Sequence, residues 1–188
     1  MFNTETELIE QLKQGNESAF KFLVKHYQEM ILKTCYHFIR DNDEADDIAQ
    51  DVFIEVYRSI KSFKTQSKLS TWMYRIAVNK SLNAIRKKKQ TERLKHIQDF
   101  FSFSNVSDQS ISPIEHKVEE DEQYSLLLKT IYKLPENQRT AFILNKYDEL
   151  SYKEVAEIMQ TSISSVESLI FRAKKNLQKK LSSSLQKK

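Results

Sequence analysis

Leu150-Ser151-Tyr152-Lys153-Glu154-Val155-Ala156-Glu157-Ile158-Met159-Gln160-Thr161-Ser162, continued by Val166-Glu167-Ser168-Leu169-Ile170-Phe171-Arg172-Ala173-Lys174-Lys175, spells two short helices joined by a tight turn. Ser151 stands before an amphipathic run with Glu154 three residues on, so its hydroxyl can cap an early backbone N–H while the carboxylate reaches back. Val155, Ile158 and Met159 line one face. Gln160-Thr161-Ser162 breaks the pattern, and Val166, Ile170, Ala173, Leu177 and Leu181 resume it at three- and four-residue steps. Spacing alone also fits an ordinary helical hairpin. The charge favours a helix-turn-helix: Arg172, Lys174, Lys175, Lys179 and Lys180 follow Glu167 with no further acid, which places a positive field where a recognition helix approaches duplex phosphates.

Charge is segregated elsewhere too. Residues 61–95 carry eleven lysines and arginines, from Lys61 to the cluster Arg86-Lys87-Lys88-Lys89 and on to Lys95, against the single acid Glu92. The preceding stretch is acidic, with Asp41, Asp43, Glu44, Asp46, Asp47, Asp51 and Glu55. The net charge of +4 hides this division, which suggests one surface for nucleic acid and another for a basic partner, although solvated faces give the same composition. Acidic stripe and basic segments are also complementary, so the two could pack on each other within the chain.

One glycine and two prolines leave little material for tight strand turns, and the recurring period is helical, so an all-α fold is expected. Leu8, Ile9 and Leu12 open a short helix ending near Gly15. Ala19, Phe20, Leu23, Val24, Tyr27, Ile31, Cys35 and Phe38 mark a long one ending near Arg40-Asp41-Asn42. Ile48, Val52, Val56 and Ile60 recur every four residues, and Asp47, Asp51 and Glu55 recur at the same interval on a neighbouring face. After a polar break at 64–68, Ser70 or Thr71 can cap a helix carrying Trp72, Ile76, Ala77, Leu82 and Ile85. Periodicity then fades into a serine-rich stretch containing Phe100, Phe101, Phe103 and Pro113, which reads as a linker. The expected organisation is a helical domain over 1–90, a flexible linker over 91–118, a helix-turn-helix domain over 119–182, opened by the acids Glu115 to Glu122, and a frayed tail over 183–188.

Cys35 is the only cysteine and sits in an apolar helical run, so no intrachain disulfide can form and a small buried residue is expected. No apolar segment approaches the ~18 residues that would span a bilayer, and the acidic N-terminal stretch lacks the features of a signal peptide. A cytoplasmic location is expected, with no cofactor, no metal and no catalytic residue.

With both halves laid out, the sequence resembles the extracytoplasmic-function (ECF) sigma factors, small bacterial sigma-70-type subunits of RNA polymerase. The resemblance rests on Asp43-Glu44-Ala45-Asp46-Asp47-Ile48-Ala49-Gln50-Asp51-Val52-Phe53, on Leu69-Ser70-Thr71-Trp72-Met73-Tyr74-Arg75-Ile76-Ala77-Val78-Asn79, on Leu134-Pro135 through Arg139, and on the helix-turn-helix. It implies a promoter-melting helical domain, a linker and a domain that reads the −35 element. By resemblance, Asp47, Gln50 and Asp51 dock on the clamp helices of the largest subunit of core RNA polymerase, with the flap of the second-largest subunit as a further contact. Residues 63–70 resemble the loop that receives a flipped −10 base. Lys68, Trp72, Tyr74, Arg75, Asn79, Lys80, Asn83 and Arg86 form the candidate −10 surface. Trp72 and Tyr74 could stack on bases, although aromatics in an amphipathic helix are more often core. Asn79 and Asn83 could reach a base edge, and the basic residues serve the backbone. Ser165, Glu167, Ser168, Phe171, Arg172 and Lys175 are the candidate −35 readers. Phe171 either meets a thymine methyl or closes the core. Promoter DNA and an anti-sigma factor are the other implied partners.

Two departures from the family pattern stand out. Many relatives carry basic residues at the positions of Glu167 and Leu169, and glycine at that of Gln160. The rivals are a stand-alone helix-turn-helix regulator, a metal-dependent nuclease built on Asp43, Asp46, Asp47 and Asp51, and a helical adaptor that binds only proteins.

Overall fold

A computed structural model describes residues 4–101 and 122–185, with side chains over 4–94 and 124–182. Among the described residues all regular structure is helical. The first half comprises α1 (Glu5–Lys13), α2 (Glu17–Ile39), α3 (Asn42–Ser59), a single 3₁₀ turn (Ile60–Ser62) and α4 (Leu69–Phe101). The second comprises α5 (Glu122–Tyr132), α6 (Glu136–Lys146), α7 (Tyr152–Met159) and α8 (Ile163–Leu185).

Local chemistry accounts for the boundaries. Gly15 takes a positive φ of 79° between α1 and α2, and the Asn16 side chain then accepts hydrogen bonds from the backbone of Ser18 and Ala19 at 2.9 and 3.2 Å. Arg40 closes α2 in the left-handed region, and Asp41 caps α3 by accepting from the Glu44 N–H at 2.9 Å. The start of α4 differs from expectation. No cap comes from Ser70 or Thr71; a carboxylate oxygen of Glu5, on α1, accepts from the Leu69 N–H at 3.1 Å, while Thr71 is buried. A distant acid thus satisfies the first-turn donor that a local hydroxyl was expected to take.

α2, α3 and α4 pack around Leu23, Ile31, Cys35, Val52, Val56, Leu69 and Met73, all fully buried. Burying a side chain of this kind contributes about 1.5–3 kcal/mol. In the second half, Ile131, Ile143, Leu144, Val155, Val166, Ile170 and Ala173 form a core that also takes in Phe38, Val78 and Leu82 from the first half. The halves are therefore joined by shared apolar packing. The acidic stripe has no part in it: Glu44 and Glu55, at the flanks of α3, pair with Lys88 and Lys80 of α4 at 3.1 and 3.5 Å, within the first half.

α4 runs past the Arg86–Lys89 cluster to Phe101, into the expected linker, and α8 runs to Leu185, into the expected tail. Phe103, Pro113, the serines between them and the acids from Glu115 to Asp121 lie outside the described residues.

Candidate polymerase and promoter interface

α3 turns Ala45, Ile48, Ala49, Val52 and Val56 inward, so the three- and four-residue steps through Asp47, Gln50 and Asp51 put these side chains together on its outer face. All three are exposed, and among the described residues neither aspartate has an ion-pair partner. Glu55, which the spacing placed in the same stripe, turns toward Lys80 instead. Ile54 and Tyr57 share the outer side of α3, 46% and 58% exposed. Their signal in the sequence was in plain view, since Ile54 lies seven residues, two helical turns, from Asp47. An exposed apolar residue among unpaired acids suits a helical partner that offers both lysines or arginines and an apolar stripe.

The basic face of α4 divides. Lys68, before the helix, and Asn79 are exposed. Asn83 is also exposed and accepts a hydrogen bond from Arg86 at 3.2 Å. Trp72 is half-buried and stacks on Phe63, ring centroids 4.8 Å apart and planes 28° from parallel. This stack holds Trp72 at the rim of the first core, beside the 63–70 loop. Lys80 is tied to Glu55.

Tyr74, Arg75 and Arg86 are engaged by the second half. Tyr74 packs against the second core; burial, helped by the negative charge of Asp148, pushes its hydroxyl up to about 12. A guanidinium nitrogen of Arg75 donates to the Glu157 carbonyl of α7 at 3.0 Å. Arg86 donates from Nε to one carboxylate oxygen of Glu136 at 3.1 Å and from a terminal nitrogen to the other. That hydrogen bond holds the Glu136 carboxyl below its ordinary value.

The helix-turn-helix is assembled as its residues dictate. Ser151 and Glu154 form the reciprocal cap, with the Ser151 N–H donating to the Glu154 carboxylate at 2.9 Å. The Ser151 hydroxyl also donates to that carboxylate, which lowers its pKa. Gln160 ends α7 with φ 53° and ψ 47°, the left-handed geometry that glycine supplies more easily. The Ser162 hydroxyl accepts from the Ser165 N–H at 3.2 Å and lies 2.9 Å from the Ser165 hydroxyl, so Ser165, a candidate −35 reader from the sequence, is engaged in the cap of α8. With Val166, Ile170, Ala173 and Leu177 buried, α8 turns Glu167, Ser168, Phe171, Arg172 and Lys175 to solvent. Phe171 is 68% exposed and does not close the core. Arg172 Nε donates to the Ser168 carbonyl one turn back at 3.1 Å, on the exposed side of α8.

Arg139, part of the Leu134–Arg139 motif, is buried. It donates to the Tyr132 carbonyl at 3.2 Å and ties α5 to α6. No helix among the described residues is long and apolar enough to cross a membrane.

Comparisons with known proteins agree with this arrangement. Residues 23–91 match sigma-70 region 2, and residues 124–177 match sigma-70 region 4. The chain is 35% identical over 179 residues to the RNA polymerase sigma-H factor of Pseudomonas aeruginosa, covering 93% of this chain and 92% of that one. It is 36% identical over 177 residues to the ECF RNA polymerase sigma factor SigW of Bacillus subtilis (92% and 94%), and 33% identical over 181 residues to the ECF RNA polymerase sigma-E factor of Escherichia coli K12 (95% and 94%). Among solved structures, CnrH in complex with the cytosolic domain of CnrY shares the fold, with TM-score 0.63 and 22% identity over 94% of this chain and 96% of that one. The sigma factor RpoE in complex with the anti-sigma factor NepR from Bartonella quintana also shares it, with TM-score 0.59 and 23% identity over 87% and 96%. The chain belongs to the ECF sigma factors of the sigma-70 family, which direct RNA polymerase to promoters and start transcription.

Proposed function

We propose that this chain docks on the clamp helices of the largest subunit of core RNA polymerase through Asp47, Gln50 and Asp51, joined by Ile54. In this reading α8 enters the major groove of the −35 element, and the 63–70 loop with the basic face of α4 captures the −10 strand. The observation that carries it is the presence of two unlike exposed surfaces on one chain: the carboxylates of Asp47 and Asp51 on α3, and Arg172, Lys175, Ser168 and Phe171 on α8. Carboxylates repel DNA, so α3 asks for a protein partner, while the reading face of α8 supplies groups that fit base edges and phosphates.

Melting needs no covalent step from this chain. Binding free energy offsets the few kcal/mol lost on unstacking a base, and bond formation stays with the polymerase. The flap of the second-largest subunit is the expected partner of the second half, and an anti-sigma protein is the expected inhibitor, by analogy with RpoE held by NepR. Such a chain works in the cytoplasm, where its polymerase is.

The test is transcription by bacterial core polymerase on a fragmented genomic template. Wild-type protein should start RNA at a defined set of sites. Asp47→Lys/Asp51→Lys should abolish this without loss of thermal stability, because both residues are exposed and have no ion-pair partner among the described residues. Specific duplex binding by the protein alone, with no initiation, would favour the stand-alone regulator.

A further inference from the structure

We infer that Glu167 makes this chain select a cytosine at one base pair of its −35 element, the carboxylate accepting a hydrogen bond from the exocyclic amino group of that base in the major groove. This rests on the placement of α8 in that groove proposed above, and adds to it the identity of a base. Glu167 is the only acid in α8, which carries Arg172, Lys174, Lys175, Lys179 and Lys180 beyond it. Phosphates repel a carboxylate, so on a face that approaches DNA it needs a contact that compensates.

Contacts within the chain do not account for it. Glu167 is exposed, and its carboxylate has neither a hydrogen bond nor an ion pair among the described residues. Its neighbours one turn away on α8, at three and four residues, are Ile163, Ser164, Ile170 and Phe171, none of them basic, so no ion pair forms along the helix. Arg172 turns its Nε to the Ser168 carbonyl instead. Capping is done by Ser162, and Glu167 lies beyond the first turn, where the helix dipole no longer favours a negative charge. With Val166 and Ile170 buried, Glu167 and Phe171 form one outer row of α8, and Ser168 and Arg172 the next.

The bases differ in what they offer this row. An ionised carboxylate only accepts. Guanine presents N7 and O6 in the major groove and thymine presents O4, all acceptors, so both repel it. Adenine has an amino group, but its N7 acceptor lies beside that group and faces the second carboxylate oxygen. Cytosine presents an amino group with no acceptor on the same edge, and suits the carboxylate best. Phe171, one turn on and 68% exposed, sharpens the choice. When DNA covers this row water leaves the carboxylate, and a carboxylate stripped of water without a donor is costly. Cytosine should be preferred over thymine or guanine by about 5- to 150-fold in affinity at this one position.

The experiment assembles the full chain with bacterial core polymerase and lets the holoenzyme select from duplexes carrying a randomised stretch, with the bound molecules sequenced. Wild type should enrich a G·C pair of fixed orientation within the upstream of two blocks. Glu167→Ala and Glu167→Gln remove the same charge, so a purely electrostatic role predicts the same result for both. Glu167→Ala should instead lose the preference at that pair, while Glu167→Gln should move it to A·T, because a carboxamide meets adenine N6 and N7 together. Thermal midpoints should stay within about 2 °C of wild type, since the position is exposed. If both variants tighten binding to all duplexes alike and leave every preference in place, Glu167 is a solvated charge and the inference is overturned. A wild-type preference for A·T at the pair that responds to Glu167 overturns the choice of cytosine. Ser168→Ala/Arg172→Ala tests the underlying placement separately: it should relax the upstream block or weaken binding to duplexes that carry it. If neither it nor the Glu167 variants affect that block, α8 does not lie in the −35 groove, and the fault is in that placement.

Discussion

Residues with the same composition play different parts according to what surrounds them. Cys35 and Phe171 are both apolar groups on amphipathic helices, yet one is fully buried and the other 68% exposed. Burial pushes the Cys35 thiol up to about 11, so at pH 8 only about one molecule in a thousand carries the reactive thiolate. Cys35 should therefore stay inert to a thiol reagent in the folded protein and react fully once denaturant is added. Fast reaction without denaturant would show that the first core opens readily. Phe171 and Arg172 give the opposite expectation. Each alanine substitution should leave thermal stability within about 0.5 kcal/mol of wild type. Arg172→Ala should cost about 1–3 kcal/mol in binding −35 duplex, measured as holoenzyme affinity, if the guanidinium pairs with a base edge. A loss that is the same for every duplex sequence would instead place Arg172 on the phosphates.

At the scale of elements, helix starts are governed by single polar groups and helix ends by backbone conformation. The Ser151–Glu154 cap was legible because both partners sit within one turn. The cap of α4 was not, because Glu5 and Leu69 are 64 residues apart and no local rule joins them. The far end of α4 was equally hidden. Hydrophobic periodicity lapses after Ile85, but 86–101 contains neither glycine nor proline, so nothing in it stops a helix already under way. The α7–α8 turn was legible as a departure from pattern. Gln160 holds φ at 53°, where a Cβ crowds the following carbonyl. Gln160→Gly should therefore stabilise the protein by about 1 kcal/mol, net of glycine's greater freedom when unfolded, and raise the thermal midpoint by a few degrees. A lower midpoint would mean that contacts of the Gln160 side chain outweigh the backbone strain.

Over the whole molecule, the two halves could be told apart in the sequence while their packing could not. Periodicity marks Phe38 and Leu82 as apolar positions of first-half helices; it does not say against what they pack, and it does not single out Val78, which joins them in the second core. Acidic stripe and basic segments are complementary in charge, yet Asp47 and Asp51 stay exposed and the junction between halves forms from α2 and α4 against α5, α6 and α7. Opposite charges on a surface gain little by pairing across water, about 0–1 kcal/mol for a pair, whereas an apolar side chain gains more by finding a partner of any sequence distance. This makes Phe38 the residue on which the cooperativity of the molecule turns. It lies on α2 but is 1% exposed within the second core. Wild-type protein should therefore unfold in one transition, as coupled halves do. Phe38→Ala removes the largest shared side chain at a cost of about 3–5 kcal/mol. Calorimetry should then resolve two transitions, one for each half, because each retains a core of its own. If the variant still unfolds in a single transition at a lower temperature, the hydrogen bonds between Asp148 and His37, Tyr132 and the His37 carbonyl, and Glu136 and Arg86 suffice to couple the halves without the apolar contact.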